Sequence, residues 1–163
     1  MSQALKDRPD VVVFPPLVPL AILVLAILLQ WLVPLKLLAM ADLVTRLAIG
    51  TALGLAGALV ITSGQRALTR HGTHANPTYP TLALATDGIY RFTRNPMYVG
   101  GMTALAGIAM IFALDWLVLL MIPAAFVLHL GIIRPEEQYL DRKFGDEYRS
   151  YKGQAPRYLP FIG

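Results

Sequence analysis

The sequence predicts an all-α integral membrane protein with about four transmembrane helices, a tight hairpin between the last two, and a C-terminal interfacial helix on the cytoplasmic side. Three observations carry that prediction. Apolar residues make up 56% of the 163-residue chain and charged residues 15%, with a mean hydropathy of +0.56, whereas soluble domains carry about 25% charged residues. Four apolar stretches approach the roughly 20 residues needed to cross about 30 Å of hydrocarbon. Ten of the 14 Lys/Arg residues fall in only two of the segments flanking those stretches.

The first stretch, near Val13–Val33, opens with Pro15, Pro16 and Pro19. Proline is tolerated there because the first turn of a helix leaves its amide donors unpaired anyway. Lys6 and Arg8 before this run and Ala39-Met40-Ala41 after it also suit a cleavable signal, but the run exceeds the roughly 7–15 residues of a signal core, so a span is expected. The second stretch is Leu43–Thr62 and the third Met97–Leu114. Gly50, Gly54 and Gly57 in one, and Gly100, Ala104 and Gly107 in the other, place small residues on one helical face, the pattern of closely packed helices. The fourth, Trp116–Ile133, follows with little more than Asp115 between, which demands an antiparallel hairpin with Asp115 and Trp116 at the interface.

Orientation follows from the cations. Arg66, Arg70, Arg91 and Arg94 lie between spans two and three, and Arg134, Arg142, Lys143, Arg149, Lys152 and Arg157 lie after span four, against Lys36 and Arg46 on the other side. Both termini are therefore expected in the cytoplasm. The same composition removes several function classes. With no cysteine, disulfide frameworks, thiolate metal sites and cysteine nucleophiles are absent. His71, His74 and His129 are scattered and supply no metal-ligand spacing, so no metal is expected. The net charge of +4 comes from cations alternating with acids beside apolar segments, which suits a membrane surface and membrane lipids as partners, not nucleic acid.

Polar chemistry gathers in two places that this topology puts on one side. One is the 34-residue connection Ser63–Pro96, too long for a simple turn in a small bundle. Within it Thr86-Asp87-Gly88 is a turn signal, and Asn95-Pro96 reads as an N-cap followed by proline at the first helical position. The other is the tail from Arg134, where Arg134-Pro135-Glu136-Glu137 reads as a helix start with acids in its first turn. Two carboxylates at the end of a span are costly to desolvate unless they meet cations or donors. Being about 100° apart on a helix, Glu136 and Glu137 cannot share one role, which leaves one free to face Arg94 or a cationic ligand while the other faces water. Tyr139, Phe144, Tyr148 and Tyr151, interleaved with charges, suit an amphipathic helix lying at the interface.

The blocks T-x-G-x-Y-x-x-x-R-N-P-x-Y across Thr86–Tyr98, then R-x-E-E from Arg134, F-G-x-x-Y-x-x-Y from Phe144 and P-R-x-x-P from Pro156 occur in a fixed order. Together they resemble the isoprenylcysteine carboxyl methyltransferase and phospholipid methyltransferase superfamily, integral membrane enzymes that use S-adenosylmethionine, over residues 70–160. The resemblance implies a single membrane methyltransferase domain, 1–163, with a cytoplasmic cofactor pocket enclosed by residues 70–98 and 134–160. It implies cofactor contacts from Leu82, Ala83, Leu84, Ala85, Tyr90, Asn95, Pro96, Met97, Tyr98, Glu136 and Glu137, and a substrate-side, catalytic role for Arg134. Where the eukaryotic carboxyl methyltransferases have histidine this chain has Asn95, which hydrogen-bonds but carries no proton. The acceptor implied is lipophilic: an isoprenylcysteine carboxylate, a phospholipid amine, or a small hydrophobic thiol or amine. A membrane scaffold or small transporter subunit retaining the fold is the alternative, although a transporter needs polar or broken helices at mid-membrane and only Pro123 and His129 interrupt the last two spans.

Overall fold

The computed structural model describes residues 7–12, 14–74, 76 and 79–159, and over these the chain is helical. Lys6, Val13 and Pro160, which entered the readings of the N-terminus and of the last sequence block, lie outside the described residues. Helix α1 runs Leu17–Leu32, α2 Leu43–Arg70, α3 Pro96–Phe112, α4 Asp115–Leu128, α5 Arg134–Phe144 and α6 Asp146–Gln154. Short 3₁₀ turns occupy Leu38–Met40 and Gly88–Arg91.

Helix α1 begins four residues later than its apolar run. Pro15 and Pro16 precede it in a turn closed by Leu17 N–H to Phe14 O at 3.0 Å, and Pro19 sits in the first turn, where no amide is needed. Helix α2 starts at an Asp42 cap, whose carboxylate accepts from Thr45 N at 3.0 Å and from the Thr45 hydroxyl at 2.6 Å. It runs two turns past the expected end at Thr62, since Gln65, Arg66, Ala67, Leu68 and Arg70 are good helix formers although polar residues interrupt the apolar run. It stops at Gly72, φ 66°, where Thr73 N–H reaches Leu68 O and Gly72 N–H reaches Thr69 O, the paired bonds of a Schellman stop.

Helices α2 and α3 form the most extensive helix pair. The small residues explain why. A Cβ added to Gly57 would lie 2.5 Å from the Gly100 carbonyl oxygen, and one on Gly107 2.6 Å from the Gly50 carbonyl oxygen. Backbone meets backbone at both points, so dispersion contact replaces the hydrophobic drive that lipid cannot supply. Gly54 is different, with nothing within 4 Å of such an atom. Helix α1 packs on α4, and Ala26, Leu105, Ala109 and Leu117 fill the contact among α1, α3 and α4.

The hairpin between α3 and α4 turns on Ala113, φ 50°, and Leu114, so Asp115 opens α4 instead of forming the turn. Asp115 is buried and accepts from Leu38 N–H at 2.7 Å, while Trp116 Nε1 donates to Val33 O at 2.8 Å. Both tie the α1–α2 connection to the hairpin.

The largest departure from expectation lies beyond α4. Arg134-Pro135 does not start a new helix: α4 and α5 are continuous from Asp115 to Phe144 through a π turn at His129–Ile133. Proline lacks the N–H that would bond the Gly131 carbonyl, and the backbone N–H of Val12 takes that acceptor at 3.0 Å. Thirty residues at 1.5 Å span about 45 Å, so the charged end extends beyond the hydrocarbon. The tail tyrosines also depart from expectation. Tyr139, Tyr148 and Tyr151 are buried, the last two in a cluster with Ala67, Ala85, Tyr90 and Ala155, so protein covers the face expected to meet lipid.

Helix α2 and the Asp115–Phe144 rod are long and apolar enough to cross a bilayer, and α1 and α3 are shorter apolar helices. In the most apolar window of α2 only 11% of residues are buried, which the core helix of a soluble protein would not tolerate. This is the build of a membrane protein.

Candidate functional site

A cavity of about 520 Å³ opens where the connection, the rod and the tail converge, within the roughly 300–1,000 Å³ typical of small-molecule sites. Its two ends differ. Between α1, α3 and α4 the walls are Val18, Ile22, Met102, Leu105, Ala124 and Leu128, all apolar. At the other end the walls come from the connection, the start of α3, and α5 and α6.

Thr73 organises the connection wall. It is buried just past the α2 stop, and its hydroxyl accepts from Leu82 N–H at 2.7 Å and Ala83 N–H at 3.2 Å. That anchors the stretch that lays Ala83, Leu84 and Ala85 along the cavity while the Leu82 side chain stays exposed and outside it. Tyr90 is buried in the wall, with its carbonyl accepting from the Tyr151 hydroxyl at 2.7 Å. Burial holds the Tyr90, Tyr148 and Tyr151 phenols above their ordinary range, so these rings stay protonated.

Asn95 occupies the cap position of α3 without capping it. Its side-chain amide donates instead to Arg157 O at 3.1 Å, and Thr93, through its hydroxyl, donates to the same carbonyl at 3.1 Å. Pro96, Met97 and Tyr98 then follow along the cavity.

The two glutamates divide their work sharply. Glu137 is buried and neutralised: Arg157 grips it with Nη2 to Oε2 at 2.8 Å and Nε to both oxygens at 3.1 Å, and Arg94 Nη2 reaches Oε1 at 3.2 Å. Arg94 also donates through Nη1 to Lys152 O and Ala155 O at 3.0 and 3.1 Å. One carboxylate thereby joins the start of α3 to the tail. Glu136 faces the cavity and accepts from the Tyr98 hydroxyl at 2.8 Å. Among the described residues no cation pairs with it.

Ten of the eleven sequence-expected cofactor residues line this one cavity, Leu82 being the exception. Arg134 is not brought to it. It is exposed, because two residues before Glu136 on the rod is about 200° around the axis, on the far side. Sequence reasoning missed Thr73, Tyr139 and Arg157 as organisers. Tyr139 accepts from Thr81 N–H at 3.2 Å and donates to Asp7 at 2.9 Å, which holds the N-terminal segment with Pro9 and Phe14 against the cavity. Arg157 stood in the P-R-x-x-P block, and the block alone does not reveal its partner. Among the described residues no cluster of metal-ligating side chains occurs.

The family described as phospholipid methyltransferase matches residues 45–147, from the start of α2 into α6. A protein-S-isoprenylcysteine O-methyltransferase of Schizosaccharomyces pombe (strain 972 / ATCC 24843) is 35% identical over 79 residues, 48% of this chain and 34% of the relative. The matched segment thus spans about a third of that relative's length. No solved structure matches the chain.

Proposed function

This chain belongs to the phospholipid methyltransferase family, and on that premise we propose that it transfers a methyl group from S-adenosylmethionine to a lipophilic acceptor at the cytoplasmic face of a membrane. The observation that carries the reading is the unpaired Glu136 carboxylate facing a cavity whose opposite end is wholly apolar.

The donor set fits the cofactor. A carboxylate without a counter-ion suits a ligand that brings cationic and hydroxyl groups, through charge-assisted bonds. The Ala83–Ala85 wall offers apolar contact and backbone, and the Tyr90 and Tyr98 rings offer faces for an aromatic base or a cation. When bound, the cofactor supplies an activated methyl on a sulfonium with a neutral leaving group. What the chain itself must do is bind, align and keep water out. Alignment of two reactants can lower a barrier by about 7–11 kcal/mol at most.

Tyr98 fixes the Glu136 carboxylate by its hydroxyl, and the Glu137–Arg94–Arg157 cluster holds the two walls at a set separation. The apolar end between α1, α3 and α4 accommodates a hydrocarbon tail and leads an acceptor head toward Glu136. A transporter's mid-membrane site needs polar groups there, and this end has none.

Calorimetric titration of S-adenosylmethionine into the full chain in detergent tests the reading. Saturable binding that weakens in Glu136→Gln supports it. Absence of binding to the parent protein overturns it.

A further inference from the structure

A second groove lies outside the cavity, between the last turns of α2 and the turn Gly88–Arg91. Ser63, Arg66, Arg70 and Phe92 line it. Arg70 is engaged, its Nη2 lying 3.2 Å from the Asp87 carboxylate. Arg66 is exposed and, among the described residues, has neither an ion pair nor a hydrogen bond. Phe92 is 63% exposed beside these cations, a combination that water alone does not favour and a bilayer boundary does.

The groove continues a stripe. At about 100° per residue, Leu55, Leu59, Thr62, Arg66 and Arg70 share one face of α2. Leu55 and Leu59 are exposed within the apolar part of the helix, and the cations follow directly where the apolar run ends. An apolar strip leading into a free guanidinium has the shape and charge order of a phospholipid.

We propose that this groove binds the headgroup phosphate of an anionic phospholipid, with its acyl chains along Leu55 and Leu59. Arg66 supplies the counter-charge, and Ser63 and Gln65 supply further donors at the groove wall. Gln65 also borders the cavity, so the headgroup would sit directly behind the connection wall. The site is independent of methyl transfer, and its test needs no cofactor.

The full chain is equilibrated in detergent with equal amounts of phosphatidylglycerol and phosphatidylcholine, and lipid retained per chain is measured by native mass spectrometry. The parent protein should retain phosphatidylglycerol preferentially. Arg66→Gln should lower that retention about fivefold at low salt, the effect of one basic residue at an anionic surface. Arg142→Gln, which removes an exposed cation on α5, should leave it unchanged. Equal retention of both lipids, parent-like retention by Arg66→Gln, or displacement of the lipid by millimolar inorganic phosphate would each overturn the proposal, the last by showing a free-anion site.

Discussion

Glu136 and Glu137 are adjacent in sequence and opposite in circumstance, one facing the cavity with a single hydroxyl donor and the other clamped by two guanidinium groups. Glu136→Gln is therefore expected to weaken S-adenosylmethionine binding tenfold or more, the loss of a charged hydrogen bond at about 1.5–3 kcal/mol, with little change in the melting temperature of the ligand-free protein. Glu137→Gln should do the reverse, lowering stability by an amount on the order of 3 kcal/mol because two cations lose their partner. Calorimetry and thermal unfolding of both variants check the pair, and a matched response in both assays would contradict the division of roles. Asn95→Asp puts a carboxylate against the Arg157 carbonyl that now receives a donated hydrogen. It should destabilise the ligand-free protein by about 1–3 kcal/mol, whereas a residue that merely capped α3 would tolerate the change; the shift in unfolding midpoint decides. Much of the cavity lining was legible from sequence, since Tyr90, Asn95–Tyr98 and the glutamates stand in the short blocks that carry the family resemblance. Thr73 and Arg157 were not, because their roles depend on partners 9 and 20 residues away that no local pattern announces.

Among the elements, α2 and α3 meet through glycine, which gives substitutions there opposite signs. Gly57→Ala must push the two backbones apart and should cost about 1–3 kcal/mol or more. Gly54→Ala meets open space and should be neutral or slightly stabilising, as alanine favours a helix interior. Thermal denaturation of both in one detergent checks the contrast; equal effects would mean that the close approach is not what holds the pair. Helix existence was readable from apolar runs, but helix ends were not. Hydropathy falls at Ser63 although the helix continues to Arg70, and Pro135 imitates a helix start although the rod passes through it. Composition reports where lipid lies, and hydrogen bonding decides where a helix stops.

For the molecule as a whole, the polar end of the cavity, the tail and the end of α2 lie together, away from the Ala113–Leu114 hairpin turn. With ten of 14 cations in the connection and the tail, the positive-inside rule predicts that this end faces the cytoplasm. Reporters placed after Gln154 and within the Ala113–Leu114 turn should register opposite sides of the membrane, and agreement between them would contradict a membrane crossing by the Asp115–Phe144 rod.

The π turn at His129–Ile133 sets the angular phase of the rod. Along an uninterrupted α-helix, Glu136 would stand about 80° around the axis from Leu128, eight residues earlier. The extra residue of a π turn winds the chain back by nearly that angle. Leu128 and Glu136 consequently look into the same cavity, the hydrocarbon wall and the charged wall brought into step by one surplus residue in the circuit between them.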